Sequence, residues 1–148
     1  MAGRRSKDGD TGIRCATRVG ATAWPNLMIE GGYAESLRML RLDDEWWLTA
    51  SGGLTRIVIL IHIKKNPNAI HYETWEVRPN MRRRTRISPP TVPTKIYAID
   101  IDAAGVTSHN LPLIIPYGTL FDTPHPNQVD IQFSTNDLSV MALRVYIH

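Results

Sequence analysis

Pro25-Asn26-Leu27-Met28-Ile29-Glu30-Gly31-Gly32-Tyr33-Ala34-Glu35-Ser36 is the stretch on which the fold of this chain turns. Residues 26–30 form a short apolar run, entered through Pro25 and closed by a carboxylate, the pattern of a buried strand. Gly31 and Gly32 then let the backbone turn. From Ala34 to Thr49 the spacing becomes helical, with Leu37, Leu40, Trp47 and Leu48 on one side. Asp43 falls within or beside that stripe, and Asp44, seven residues after Leu37, flanks it. Acids at core-facing positions are uncommon unless paired or functional. Glu30, Asp43 and Asp44 are therefore the candidate site, because hard divalent cations take oxygen ligands from converging elements. The plainer alternative is a strand-end glutamate and two helix-surface aspartates.

Outward from this segment, Ser51-Gly52-Gly53 stops the helix. Leu54 to Lys64 is apolar on both faces, which predicts a central strand covered on two sides. Asn66-Pro67-Asn68 turns the chain into an antiparallel partner over Ile70 to Val77. There Ile70, Tyr72, Thr74 and Glu76 share one face, and His71, Glu73, Trp75 and Val77 the other. Residues 78–93 read as an Arg/Pro-rich linker whose prolines stay out of any ladder. Thr94 to Asp102 resumes as a strand, with Asp100 and Asp102 together opposite Tyr97, Ile99 and Ile101. A loop leads to a further strand over Leu111–Ile115. Thr135 is the expected cap of a last helix carrying Leu138, Met141, Ala142 and Val145. Residues 1–20 read as a flexible tail and 21–148 as one domain.

The length of 148 residues suits one domain with a real core. No apolar run approaches the roughly 18 residues of a membrane span, so no membrane contact is expected. The N-terminus has no apolar stretch behind its charges, and the single cysteine, Cys15, excludes an internal disulfide and a Cys-rich zinc module. An intracellular, reducing compartment follows. The net charge of +3 is concentrated in Arg78, Arg82, Arg83, Arg84 and Arg86, and the rest of the chain is slightly acidic. Only the run Arg82-Arg83-Arg84-Thr85-Arg86 is a nucleic-acid contact candidate, through phosphates. No aromatic residue interleaves it, so base stacking has no support. His62 with Lys64, and the pair Asp100 and Asp102, read as strand residues rather than ligands, and Trp46, Trp47 and Trp75 as core.

The pattern Pro25 to Glu30, Ser36, a helix with an aspartate and aromatic residues, Gly52-Gly53 and an apolar strand hairpin resembles the restriction-endonuclease-like PD-(D/E)xK superfamily. It also resembles a group of uncharacterised fungal proteins, over roughly residues 24–146. The resemblance implies a metal-binding Asp from an early strand, a glutamate matched by Glu30, and a lysine. Metal and lysine would activate the water that attacks a phosphate. Asn26 stands where bacterial relatives often carry a non-essential Asp. The lysine position is Gly32, the helical variant of that lysine falls on Asp43-Asp44-Glu45, and upstream acids are limited to Asp8 and Asp10.

The expectation is an α/β (α+β) domain: a mixed central sheet flanked by helices, a restriction-endonuclease-like core, and an added C-terminal strand pair and helix. Its expected role is binding or structural, with a degenerate site and no cofactor. The alternatives are a nuclease using Mg²⁺ or Mn²⁺ at Glu30 with Asp43 or Asp44, and a protein-interaction module acting through the Arg/Pro linker.

Overall fold

The computed structural model describes residues 10–20, 23–33, 36–65, 68–82, 85, 87, 90–108 and 112–146. The opening segment forms β2 (Leu27–Gly32), preceded by a short β1 (Thr11–Ile13). Helix α1 (Leu37–Ala50) starts later than its apolar period suggests, because Ser36 is the cap: its side-chain oxygen accepts the Met39 N–H at 3.3 Å. The helix ends where Gly52 and Gly53 take φ of 63° and 90°, a conformation that favours glycine. Strand β3 (Ile57–Lys65) returns parallel to β2, from Leu27 opposite Ile57 to Gly32 opposite His62. Parallel neighbours need a crossover, and α1 supplies it.

An antiparallel meander completes the sheet: β4 (Asn68–Pro79), β5 (Thr91–Asp102) and β6 (Gly105–Ser108), in the order β1-β2-β3-β4-β5-β6. Three expectations change here. The β4–β5 ladder runs out to Pro79 opposite Thr91, and Asn80 N–H reaches the Pro90 carbonyl at 2.9 Å, so the expected linker of 78–93 contracts to 80–90. Pro93 lies in the ladder opposite Val77; β6 reaches only Ile99–Asp102, and a missing donor is tolerated on such an outer stretch. Residues 105–108, expected as loop, pair as β6.

Part of the expected tail is also ordered. Thr11–Ile13 pairs antiparallel with β2, and the residues after it are fastened by Asp122. Arg18 meets that carboxylate with two bonds of 2.7 and 2.8 Å, and Arg56 adds a third of 2.7 Å. The fully buried Asn26 joins both sides, accepting the Cys15 N–H at 2.9 Å and donating to Asp122 at 3.2 Å. The Arg18 bond, with Arg56 behind it, holds the Asp122 carboxyl down at about 2.

Strand alternation gives the sheet two unlike faces. Leu27, Ile57, Ile59, Ile70, Tyr72, Ile99 and Ile101 are buried on one. Over them lie the separate pair β7 (Leu113–Ile115) and β8 (Ile131–Phe133), a one-turn α2 (Tyr117–Leu120) and α3 (Thr135–Tyr146). Each fully buried Leu or Ile there stabilises the fold by about 1.5–3 kcal/mol. Helix α3 is capped one residue earlier than expected: Ser134 and Asp137 form a reciprocal box, with Asp137 accepting the Ser134 N–H at 2.8 Å. The other face lies under α1, where Met28, Val58, Trp47 and Leu48 pack with Trp24, Trp46, Trp75 and Val77. The fold is α+β: among the described residues, a mixed six-stranded sheet, a separate strand pair and three helices. None of these helices is long and apolar enough to cross a membrane.

Candidate functional site

The strand register sets the candidate residues in two rows on the α1 face. Glu30, Leu60, Glu73 and Ala98 stand side by side across β2 to β5, and Gly32, His62, His71 and Asp100 form the next row. Glu30 and Glu73 are thus two strands apart, about 10 Å between backbones. Each carboxylate has its own surroundings.

Glu30 is 4% exposed and accepts a hydrogen bond from the indole N–H of Trp47 on α1. Trp47 belongs to a three-ring cluster with Trp24 and Trp46, centroids 5.0 to 5.5 Å apart, which roofs this end of the sheet. Asp44 lies one turn before Trp47 and is fully buried, whereas Asp43 is half-buried. Among the described residues, no group of three or more His, Cys, Asp or Glu side chains is placed to hold a metal ion. Gly32, where the resemblance would put a lysine, is pressed against α1. A Cβ there would lie 2.6 Å from Leu40 Cδ1 and 2.9 Å from its Cδ2, and Leu40 is itself 1% exposed. Glycine here is a close-approach residue, and a longer side chain has no room unless the helix moves.

The denser network centres on Glu73, which sequence reading had placed beside His71, Trp75 and Val77 without assigning it a role. It is wholly buried, yet receives five N–H bonds from four side chains. Arg41 approaches with Nε at 3.0 Å and Nη2 at 2.5 Å, His71 Nε2 at 2.9 Å, Trp75 Nε1 at 2.9 Å and Lys95 Nζ at 3.3 Å. The second His71 nitrogen faces Asp100 at 2.7 Å. Burial alone would push the Glu73 carboxyl up, but the bonds from His71, Arg41 and Trp75 outweigh it and hold it far below the usual carboxylate range. The bond to Glu73 raises the His71 pKa, with Asp100 adding to it against the cost of burial. Arg41 is held charged by the same carboxylate and, more weakly, by Asp44.

This arrangement decides what the network can do. A carboxylate has about four lone-pair sites, and those of Glu73 are engaged, so it offers little to a metal or a proton. The two carboxylates facing His71 favour its protonated form, which suits charge balance rather than proton abstraction. Arg41 and Lys95 leave about a third or more of their side chains in solvent, 36% and 41%.

Alternation along His71-Glu73-Trp75 was the signal available in the sequence: it sets two ionisable groups inward on a strand with neighbours on both sides. Arg41, Lys95 and Asp100 come from distant segments and carried no such mark. Asp100, expected as a strand residue rather than a ligand, is 53% exposed and pairs with His71; Asp102 instead accepts the Ala104 N–H in the β5–β6 turn. Arg82 is exposed at the β4–β5 connection, its N–H held by Asn80 at 3.1 Å. Arg83, Arg84 and Arg86 lie outside the described residues. No family model, curated protein or solved structure matches the chain.

Proposed function

We propose that this is an intracellular binding domain, built on a degenerate restriction-endonuclease-like core and without metal-dependent phosphodiester hydrolysis. The observation that carries this reading is the closure at Gly32: Leu40 occupies the space an active site of that kind gives to its lysine. Glu30, the one matching acid, spends its carboxylate on a buried bond to Trp47 that ties β2 to α1. The surface we assign to an acidic partner, nucleic acid first, is the run Arg82, Arg83, Arg84 and Arg86. In sequence it falls between β4 and β5, and Arg82, the one of the four among the described residues, is open to solvent.

The test uses supercoiled plasmid with Mg²⁺ or Mn²⁺, wild type beside Glu30→Gln. Both proteins should leave the plasmid intact. Metal-dependent nicking by the wild type that disappears in Glu30→Gln would instead establish the nuclease reading, with Asp43 or Asp44 as its further ligand. In parallel, replacing the four arginines by serine should lower duplex-DNA affinity and flatten its salt dependence, by about 0.9 in log–log slope per lost phosphate contact. Unchanged DNA binding in that variant would leave the segment to a protein partner.

A further inference from the structure

Between the sheet and its C-terminal cover lies a space of about 180 Å³. Its floor is Leu27, Ile29, Ile59, Ile61 and Tyr72, and its roof includes Leu113, Ile115, Leu120, Phe133 and Leu138. The wall presents only apolar atoms. Ile13, Ile131 and Met141 also line it, and they are 48%, 43% and 41% exposed, an apolar rim open to solvent.

We propose that this space binds a small uncharged hydrophobic molecule, a single six-membered ring or an alkyl group of similar bulk. Three observations carry the assignment. Water needs two to four polar partners to reside in a cavity, and this wall offers none. Apolar cavities of roughly 150 Å³ lined by Leu, Ile and Phe take up benzene or xenon, so the volume fits one ring. One turn of a partner helix, about 10 Å across and about 5.4 Å long, exceeds this volume of about 180 Å³. The exposed rim gives the ligand an apolar way in, between β1 on one side and β8 with α3 on the other.

The same chemistry predicts selectivity. A hydroxyl carried into the space would leave its water partners for no replacement, so phenol should bind at least about tenfold more weakly than toluene. Hexanoate, which brings a charge, should not enter.

The experiment is thermal unfolding of the whole chain with toluene, phenol or hexanoate, alongside ¹³C-methyl spectra of its isoleucines. Toluene at about ten times its Kd should raise Tm by roughly 2–6 °C. It should also move the methyl signals of Ile29, Ile59 and Ile61 while leaving that of the exposed Ile87, which is not part of the lining, in place. Ile61→Phe should abolish both effects. Should that variant not fold, xenon under pressure on the wild-type protein reads the same methyls. No Tm rise with no methyl shift overturns the proposal, and so does equal binding of toluene and phenol. A side chain of a second copy filling the space would appear as concentration-dependent self-association that toluene does not affect, and this too would overturn it.

Discussion

The two faces of the sheet solve the same burial problem in opposite ways. Under α1 the strands bring Glu30, His71 and Glu73 inward, and the helix answers them with Trp47 and Arg41. Under the C-terminal cover the strands bring isoleucines inward, and nothing directional is required. Hydrogen bonds fix distances and angles, whereas apolar contact fixes only volume. The helix-covered face is therefore held in one geometry, and the apolar face keeps room for an added ring. Directional bonding specifies geometry on the polar side, and volume alone is specified on the apolar side, where the space of about 180 Å³ lies.

The largest expected effect would break this contrast if it failed. Glu73→Ala strips the shared acceptor from Arg41, His71, Trp75 and Lys95 at once. Removing one partner of a fully buried ion pair costs about 3–5 kcal/mol, because the remaining charge is left uncompensated. Arg41 and Lys95 can turn to solvent, being 36% and 41% exposed, so the loss here should be smaller, about 2–3 kcal/mol. Urea unfolding should show a loss in that range. Ile99→Val on the apolar face, one methylene shorter, should cost only about 0.5–1.5 kcal/mol. Equal losses in the two variants would mean that the polar network carries no special share of the stability.

A smaller effect sharpens the reading of Gly32. Gly32→Ala sets a methyl against Leu40, which is itself locked in the core, and should cost about 1–3 kcal/mol by overpacking. Pairing it with Leu40→Val should recover part of that loss, since the clash is between those two side chains. If Gly32→Ala proved neutral, the helix would be free to shift and the closure argument would lose its footing.

Much of this architecture was legible from local pattern. The apolar character of both faces of Leu54–Lys64 and the period near 3.6 after Ser36 announced the central strand and its helix, and with them the α+β class. What escaped was set by pairing at a distance. Residues 11–13 have no strand pattern of their own and become β1 only because β2 presents a free edge. Pro93 was read against the ladder, a rule that holds for inner strands and relaxes at an edge. The site divided in the same way. Glu30 was visible because one segment delivers it, and Asp44 because its helical period gives its depth. Arg41, His71 and Lys95 meet at Glu73 from α1, β4 and β5, with Asp100 joined through His71, a convergence that no single window of sequence contains.

The smallest effect is a titration. The His71 pKa lies above its ordinary value in the folded protein because of Glu73 and Asp100, so the native state holds a proton that the unfolded chain releases sooner. The stabilisation is fully present below about pH 6.5, the value for an unconstrained histidine, and is lost as pH rises through the folded-state pKa. The slope in that interval cannot exceed about 1.4 kcal/mol per pH unit for one proton. Glu73 works in the opposite sense, its contribution present above about pH 4.5 and lost only in strong acid, so the two do not overlap near neutrality. Urea unfolding of the wild type between pH 6 and 9 should therefore show stability declining with pH. His71→Gln, which can still donate to Glu73 but does not titrate, should remove that component. A wild-type slope that survived in His71→Gln would place the titrating group elsewhere and leave Arg41, Lys95 and Glu73 to carry the charge of this face without His71.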